Sequence, residues 1–394
     1  MPQRLITIPL QQLEALVSES WSAFRGSSRF RDVPPLAPSW SLIGEALLDR
    51  TFTLTTSLLT GLPVPERVRR ALREARVAAG LFRERGWLDE PDTYHLVPPA
   101  PPKGELAPAA IWTQTGRRHF GRLAFESGYA PHPGEPGRER WLAHPKNGIA
   151  HAHVLEHDEP RPWLVCIHGF GMGTPRVDFS GFPVARLHDE LGLNLIFPVL
   201  PLHGPRGIGR FSGGEVLDPD YMRMVHLFAQ AVWDVRRLIE WARMRNGEPV
   251  GVYGISLGGY VAALVASLTD GLDCAIAGIP AVDFPNLARD NEPWIMQRYD
   301  DELETDWQVV RAISHPVSPL AFAPRLARER RFIYAGLADR VVKPDQPRAL
   351  WRHWEQPDIH WFSGGHVLGI WNPTIGPFLT RSLESAGMTR TGSS

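Results

Sequence analysis

The chain has 394 residues, 43% hydrophobic and 22% charged, with 42 Lys and Arg against 43 Asp and Glu. That composition excludes extensive intrinsic disorder, and a net charge of −1 excludes the basic footprint of a nucleic-acid binder. The three lysines, Lys103, Lys146 and Lys343, leave arginine as the dominant base, which reads as coding bias and not as a phosphate-binding device.

The first twenty residues lack the continuous apolar segment of a signal peptide, and no run approaches the ~18 apolar residues of a membrane span. A soluble, cytoplasmic, bacterial protein without stable membrane insertion is therefore expected. Residues 40–61 and 65–85 have helical spacing, the second opened by Pro65 and followed by Gly86. The segment VPPAPPKGELAP (97–108) reads as a linker. Residues 1–115 are thus expected to be a helical N-terminal extension, and 116–390 the main domain. From 117 to 155 the pattern turns strand-like, with turns at 133–137 and 147–148, which predicts hairpins.

From 163 onward short apolar runs alternate with helical spacing. WLVCIH (163–168), NLIFPV (194–199), VGVYGI (250–255), CAIAGI (274–279), RFIYAG (331–336) and IHWF (359–362) read as strands buried on both faces. Helices are expected at about 181–191, 221–246, 257–269, 345–355 and 374–386. This alternation predicts an α/β class with a doubly wound, mostly parallel sheet and helices on both faces. Cys166 and Cys274 sit inside apolar runs and read as small core residues, not as a disulfide framework.

GISLGG (254–259) carries the chemistry. G-x-S-x-G between a strand and a helix lifts the serine off the sheet on a sharp turn. The helix N-terminus beneath Ser256 supplies N–H donors and a favourable dipole for a developing oxyanion. HGFGMG (168–173) ends an upstream strand, where the backbone N–H of Phe170 would join that of Leu257 in an oxyanion hole. The alternatives for this loop are a flexible turn or a phosphate loop, and the latter lacks its G-K-[ST]. His168 is better suited to ordering the loop than to acting as a base. A serine needs a base held by a carboxylate, and for this strand–turn–helix motif they follow in the order acid, then histidine. Asp339, in GLAD, and His366, in SGGH, fall in loops at the carboxyl ends of successive strands, the edge where open α/β sheets bind ligands. Asp283 is the alternative acid. His360, inside a strand, is the weaker alternative base.

Those four pieces in that order resemble the α/β-hydrolase superfamily, in its serine esterase and lipase branch, over about 117–386. The resemblance implies Ser256 as nucleophile, His366 as general acid and base, Asp339 as orienting acid, an acyl-enzyme intermediate and no cofactor. The substrate implied is a small-molecule or lipid carboxylic ester. A thioesterase, amidase, acyltransferase or lipid-directed lipase would use the same triad, and a non-catalytic binding protein of the same fold is a rival of another class. His168, His203, Arg206 and Trp294 are possible pocket residues; for His203 and Arg206 an ordinary loop role is the plainer alternative. Residues 285–328 exceed a normal connection and suggest a lid carrying Trp294, Met296, Tyr299 and Trp307, unless those side chains merely pack the insertion. His151, His153 and His157 lack the donor set of a metal site. The oligomeric state stays open.

Overall fold

A continuous apolar strand must be covered on both faces, and that requirement sets the architecture. The computed structural model describes residues 30–37, 39–60, 64–99, 104–113, 116–291 and 306–389. Its strands are β1 (Ala107–Thr113), β2 (Gly116–Glu126), β3 (Ile149–Leu155), β4 (Trp163–Ile167), β5 (Asn194–Val199), β6 (Val250–Ile255), β7 (Cys274–Gly278), β8 (Arg331–Gly336) and β9 (Asp358–Phe362). They form one sheet in the order β1-β2-β3-β5-β4-β6-β7-β8-β9. The first three strands are antiparallel, as is the β3–β5 pair, and every pair from β5 to β9 is parallel. Chain order reverses at β4, flanked by β5 and β6, and a reversal of this kind opens a crevice beyond the carboxyl ends of the strands.

The principal helices are α1 (Trp40–Thr60), α2 (Pro65–Glu84), α3 (Tyr221–Asn246), α4 (Leu257–Leu268), α5 (Trp307–Ser314), α6 (Asp345–His353) and α7 (Ile375–Ser385). Side-chain alternation divides the core between the two faces. Trp163, Val165 and Ile167 of β4 join the cluster containing Val232, Val235 and Leu264 of α3 and α4. Leu164 and Cys166 join Phe378 and Leu379 of α7 on the other face. Cys166 and Cys274 are buried and unpaired. In α2 the buried stripe Val68, Ala71, Leu72, Ala75, Ala78, Ala79 and Phe82 follows helical periodicity. Gly86, at φ 75°, closes the helix: the Trp87 N–H reaches back to the Phe82 carbonyl at 2.9 Å, and the two rings meet at 5.3 Å.

Three expectations are corrected. Ala107–Thr113, assigned above to linker and extension, is the sheet's edge strand and pairs with β2. Pro108 disguised it, because proline has no N–H to donate and is tolerated in a strand only at an edge. Residues 127–148 hold no strand; they carry the short helix Arg138–Leu142, anchored by the buried Trp141. At 181–191 the helical segment is a wide π-type turn, Ala185–Glu190. In the long insertion, α5 packs on α2, and Trp307 lies edge-on to Tyr221 at 6.4 Å. Trp294, Met296 and Tyr299 lie outside the described residues. No described helix is long and apolar enough to cross a membrane.

Candidate active site

Ser256 follows β6 at φ 57°, ψ −114°, a backbone region that a side-chain-bearing residue occupies only under strain. Two glycines permit the turn. A Cβ on Gly254 would overlap the Gly258 carbonyl, and one on Gly258 would overlap the Ile167 carbonyl at the end of β4. Gly169, after β4, also lies near the turn: a Cβ there would come 3.2 Å from the Ile255 carbonyl oxygen and 3.5 Å from the Ser256 Cβ. The upstream glycine loop therefore sits directly against the serine turn. The backbone N–H groups of Phe170 and Leu257 find no acceptor among the described residues.

His366 Nε2 lies 3.0 Å from Ser256 Oγ, and its Nδ1 lies 2.7 Å from Asp339 Oδ2. The other carboxylate oxygen, Oδ1, accepts the N–H groups of Val341 at 2.9 Å and Val342 at 2.7 Å, which sets the orientation of the acid. The two loops are tied to each other by Leu337 N–H to Phe362 O and Ala338 N–H to Gly364 O. Burial pulls the His366 imidazolium down, but the charge and hydrogen bond of Asp339 and the charge of Asp49 outweigh it, and the ring is held above its ordinary value. With Nδ1–H given to the carboxylate, Nε2 is the nitrogen free to accept the Ser256 hydroxyl proton.

The structure also sorts the alternatives. Asp283 is engaged at the start of the next helix, accepting from the backbone and side chain of Asn286. His360 hydrogen-bonds Thr374 at 2.8 Å and stacks on Phe378. His168 is fully buried; its Nε2 accepts the Leu200 N–H at 3.0 Å, so Nδ1 carries the proton that bonds the Gly169 carbonyl at 2.8 Å. It orders the loop and has no lone pair left for proton transfer. Asp178 pins the far end of that loop by accepting the Gly173 N–H. Of the imidazoles on β3, His153 is buried edge-on to Phe120, and His157, just beyond the strand, stacks on His188.

His203 and Arg206 are both buried. His203 is buried, with its ring 5.0 Å from that of His168. Arg206, fully buried, pairs with Asp234 of α3 at 2.9 Å and donates to the carbonyls of Val199 and Asn147. Burial pushes the Asp234 carboxyl up and the Arg206 guanidinium down, so desolvation outweighs their attraction and the pair serves placement more than stability. Removing one partner is the damaging change. Asp234→Ala is expected to cost about 3–5 kcal/mol by urea denaturation, because it strands a buried guanidinium. A loss under about 1 kcal/mol would contradict the ion pair.

Two carboxylates of α1, marked by no local motif, also hold the site. Asp49 of α1, with no exposed surface, accepts backbone N–H groups from Arg340 at 3.0 Å, His366 at 2.8 Å and Val367 at 3.0 Å. Glu45, one turn earlier, accepts the Gly365 N–H at 2.7 Å. Phe52 of the same helix meets Phe170 edge-on at 6.5 Å. The available signal was an i, i+4 pair of carboxylates on a largely apolar helix, WSLIGEALLDRTF.

The prolyl oligopeptidase family model matches residues 229–363, a stretch that includes Ser256 and Asp339 and ends three residues before His366. The fold resembles acetyl xylan esterase 1 from Thermoanaerobacterium sp. JW/SL YS485, with a TM-score of 0.53 at 15% identity over 76% of this chain and 93% of that one. The fold is that of the α/β-hydrolases. The chain belongs to one family with two Mycobacterium tuberculosis proteins, MT2702 of strain CDC 1551 and Rv2627c of strain H37Rv. Each is 40% identical over 385 residues, covering 96% of this chain and 91% of the relative.

Proposed function

We propose that the protein hydrolyses carboxylic esters through an acyl-enzyme on Ser256. The observation that carries this reading is the unbroken hydrogen-bond chain from Ser256 Oγ through His366 to Asp339, set on a strained strand-to-helix turn. In this reading Ser256 Oγ attacks the ester carbonyl carbon as His366 Nε2 takes its proton. The tetrahedral oxyanion lies against the Phe170 and Leu257 N–H groups. Collapse breaks the C–O bond, and His366 returns the proton to the departing alcohol. Water then repeats the sequence on the acyl-enzyme, releasing the acid and restoring the serine. The residues supply nucleophile, base and oxyanion donors, so this chemistry needs no cofactor.

One observation favours a second reading, hydrolysis of a peptide or amide: the match to the prolyl oligopeptidase family. The triad is common to both, and the difference lies in the leaving group. Initial rates on p-nitrophenyl esters of graded chain length, beside p-nitroanilides of the same acyl groups, separate them. Ester turnover with a chain-length optimum is expected, together with covalent labelling of Ser256 by a fluorophosphonate. Anilide turnover exceeding ester turnover would favour the peptidase, and absence of both labelling and turnover would sink the hydrolase reading.

The histidine sets the pH dependence. His366 must be neutral to accept the serine proton, and its neighbours hold it above its ordinary value, so activity is absent at low pH and appears as pH rises through the raised value. The acid-side half-point of kcat/KM is expected above about pH 6.5, the ordinary imidazole value. A half-point well below pH 6 would mean that Asp339 does not stabilise the imidazolium.

A further inference from the structure

We infer that Asp49 is a positioning residue of the active site, its carboxylate holding the loop that carries His366 and the turn that carries Asp339 in register with Ser256. The inference rests on reading Ser256, His366 and Asp339 as the hydrolytic triad. It extends that reading into α1, a helix outside the sheet and its connecting loops.

The geometry is specific. Asp49 Oδ2 accepts the N–H groups of both Arg340 and His366, the residue after the orienting acid and the base itself, and Oδ1 accepts the N–H of Val367. One buried carboxylate thus bridges two loops. Three N–H donors on two oxygens lie within what a carboxylate accepts. An asparagine in its place offers one carbonyl oxygen, and its NH₂ would confront an N–H donor. Glu45 extends the grip by one residue through Gly365.

The glycines before His366 are built for this contact. Neither Gly364 nor Gly365 has a left-handed backbone, so chain flexibility does not explain them. A Cβ on Gly365 would come within 2.9 Å of Asp49 Oδ2; one on Gly364 would first meet the Phe362 ring at 2.9 Å and then Glu45 Oε2 at 3.3 Å. The small residues let the helix carboxylates reach the backbone. The apolar side of α1 (Leu42, Ile43 and Ala46) buries against Leu337 and Ala338, just ahead of Asp339, which fixes the helix on the same turn. Through Phe52 and Phe170 the helix also touches the loop opposite the serine.

Asp49 acts through position and through charge. The charged groups at the His366 loop are Asp339 on the turn after β8 and Asp49 and Glu45 on α1, with Arg340 joined to Asp49 through its backbone N–H. Removing the negative charge of Asp49 leaves the imidazolium with Asp339 as its main stabiliser. The acid limb of the pH profile then moves toward lower pH, a change that a purely structural role does not produce.

The test uses the full chain, with p-nitrophenyl ester kinetics, fluorophosphonate labelling of Ser256 and NMR observation of the His366 Nδ1 proton. In Asp49→Asn, kcat is expected to fall about 100-fold, as for a misplaced catalytic group, with KM within about twofold of wild type. The acid limb is expected at lower pH and the His366 Nδ1 proton in faster exchange with water. Asp49→Glu, which keeps the charge, is expected to recover the acid limb. Should Asp49→Asn not fold, Glu45→Gln is expected to show the same changes more weakly. A folded Asp49→Asn with kcat within twofold and an unmoved acid limb would overturn the inference, as would a kcat loss without change in the acid limb or the Nδ1 proton. A wild-type chain that neither labels nor turns over would instead sink the hydrolase reading. The His366 proton and its titration in wild type and Asp49→Asn would still decide whether Asp49 governs that imidazole.

Discussion

Exchange of Ser256 for alanine is expected to lower ester turnover by about 10⁴- to 10⁶-fold, and Asp339→Asn by about 10⁴-fold. Ser256→Ala removes the proposed nucleophile, Oγ at 3.0 Å from His366 Nε2. The fold should survive it, because Ser256 makes its backbone bonds, N–H to Gly278 O and O from Tyr260 N–H, without its side chain. Asp339→Asn is subtler. The amide can still accept the Val341 and Val342 N–H groups, but its NH₂ then faces His366 Nδ1 and favours the tautomer with the proton on Nε2, where it cannot receive the serine proton. The triad acts as one unit, so Ser256→Ala combined with His366→Ala should be little worse than Ser256→Ala alone. Multiplicative losses in the double variant, or more than a tenth of wild-type activity in Ser256→Ala, would show that turnover runs through another group. The measurements are kcat and kcat/KM on the ester panel, with mass spectrometry of the fluorophosphonate adduct locating the labelled serine.

The parts of this site that were legible in the sequence share a property: each is encoded within a few consecutive residues. Strand, turn and helix around Ser256 occupy 250–268, and the apolar run, the glycines and the small residues that permit close packing are all local. The same holds for the strand-plus-loop pairs ending in Asp339 and His366, whose meeting follows once the sheet is parallel. What escaped was encoded at a distance. Asp49 and His366 are 317 residues apart, and helical spacing around Asp49 says only that it shares a face with Glu45. Arg206 looked like a candidate for the pocket because it follows a strand end. Its partner, Asp234, lies 28 residues on, on the buried side of α3 between Val232 and Val235. A carboxylate on an apolar helix face needs a buried cation, and that was the available clue. Edge strand β1 was hidden because its alternation is shallow, with four of its seven residues exposed, and because Pro108 suits a linker as well as an edge.

Gly258→Ala is expected to be, with Gly254→Ala, among the most damaging single methyl additions near the site. The new Cβ would overlap the carbonyl oxygen of Ile167 and crowd that of His168, and both atoms are backbone, so no rotamer change can relieve the contact. Ile167 is the last residue of β4 and pairs with Gly254 of β6. The sheet must therefore open at its centre, or the serine turn must lift away from the loop that carries Phe170. Ordinary overpacking costs about 1–3 kcal/mol; with no flexible atom to absorb it, the cost here should exceed about 5 kcal/mol, comparable to the whole stability of many domains. Insoluble expression, or a soluble protein that no longer labels at Ser256, is the expected result. The contrast is Gly80→Ala in the middle of α2, where a Cβ meets nothing within 4 Å. There a glycine only weakens the helix, and alanine should stabilise the protein by about 0.4–1 kcal/mol. Thermal denaturation of the two variants, read beside fluorophosphonate labelling, separates backbone collision from a general effect of adding a methyl group. A Gly258→Ala protein as stable and as reactive as wild type would mean that the serine turn is not packed against β4 as described.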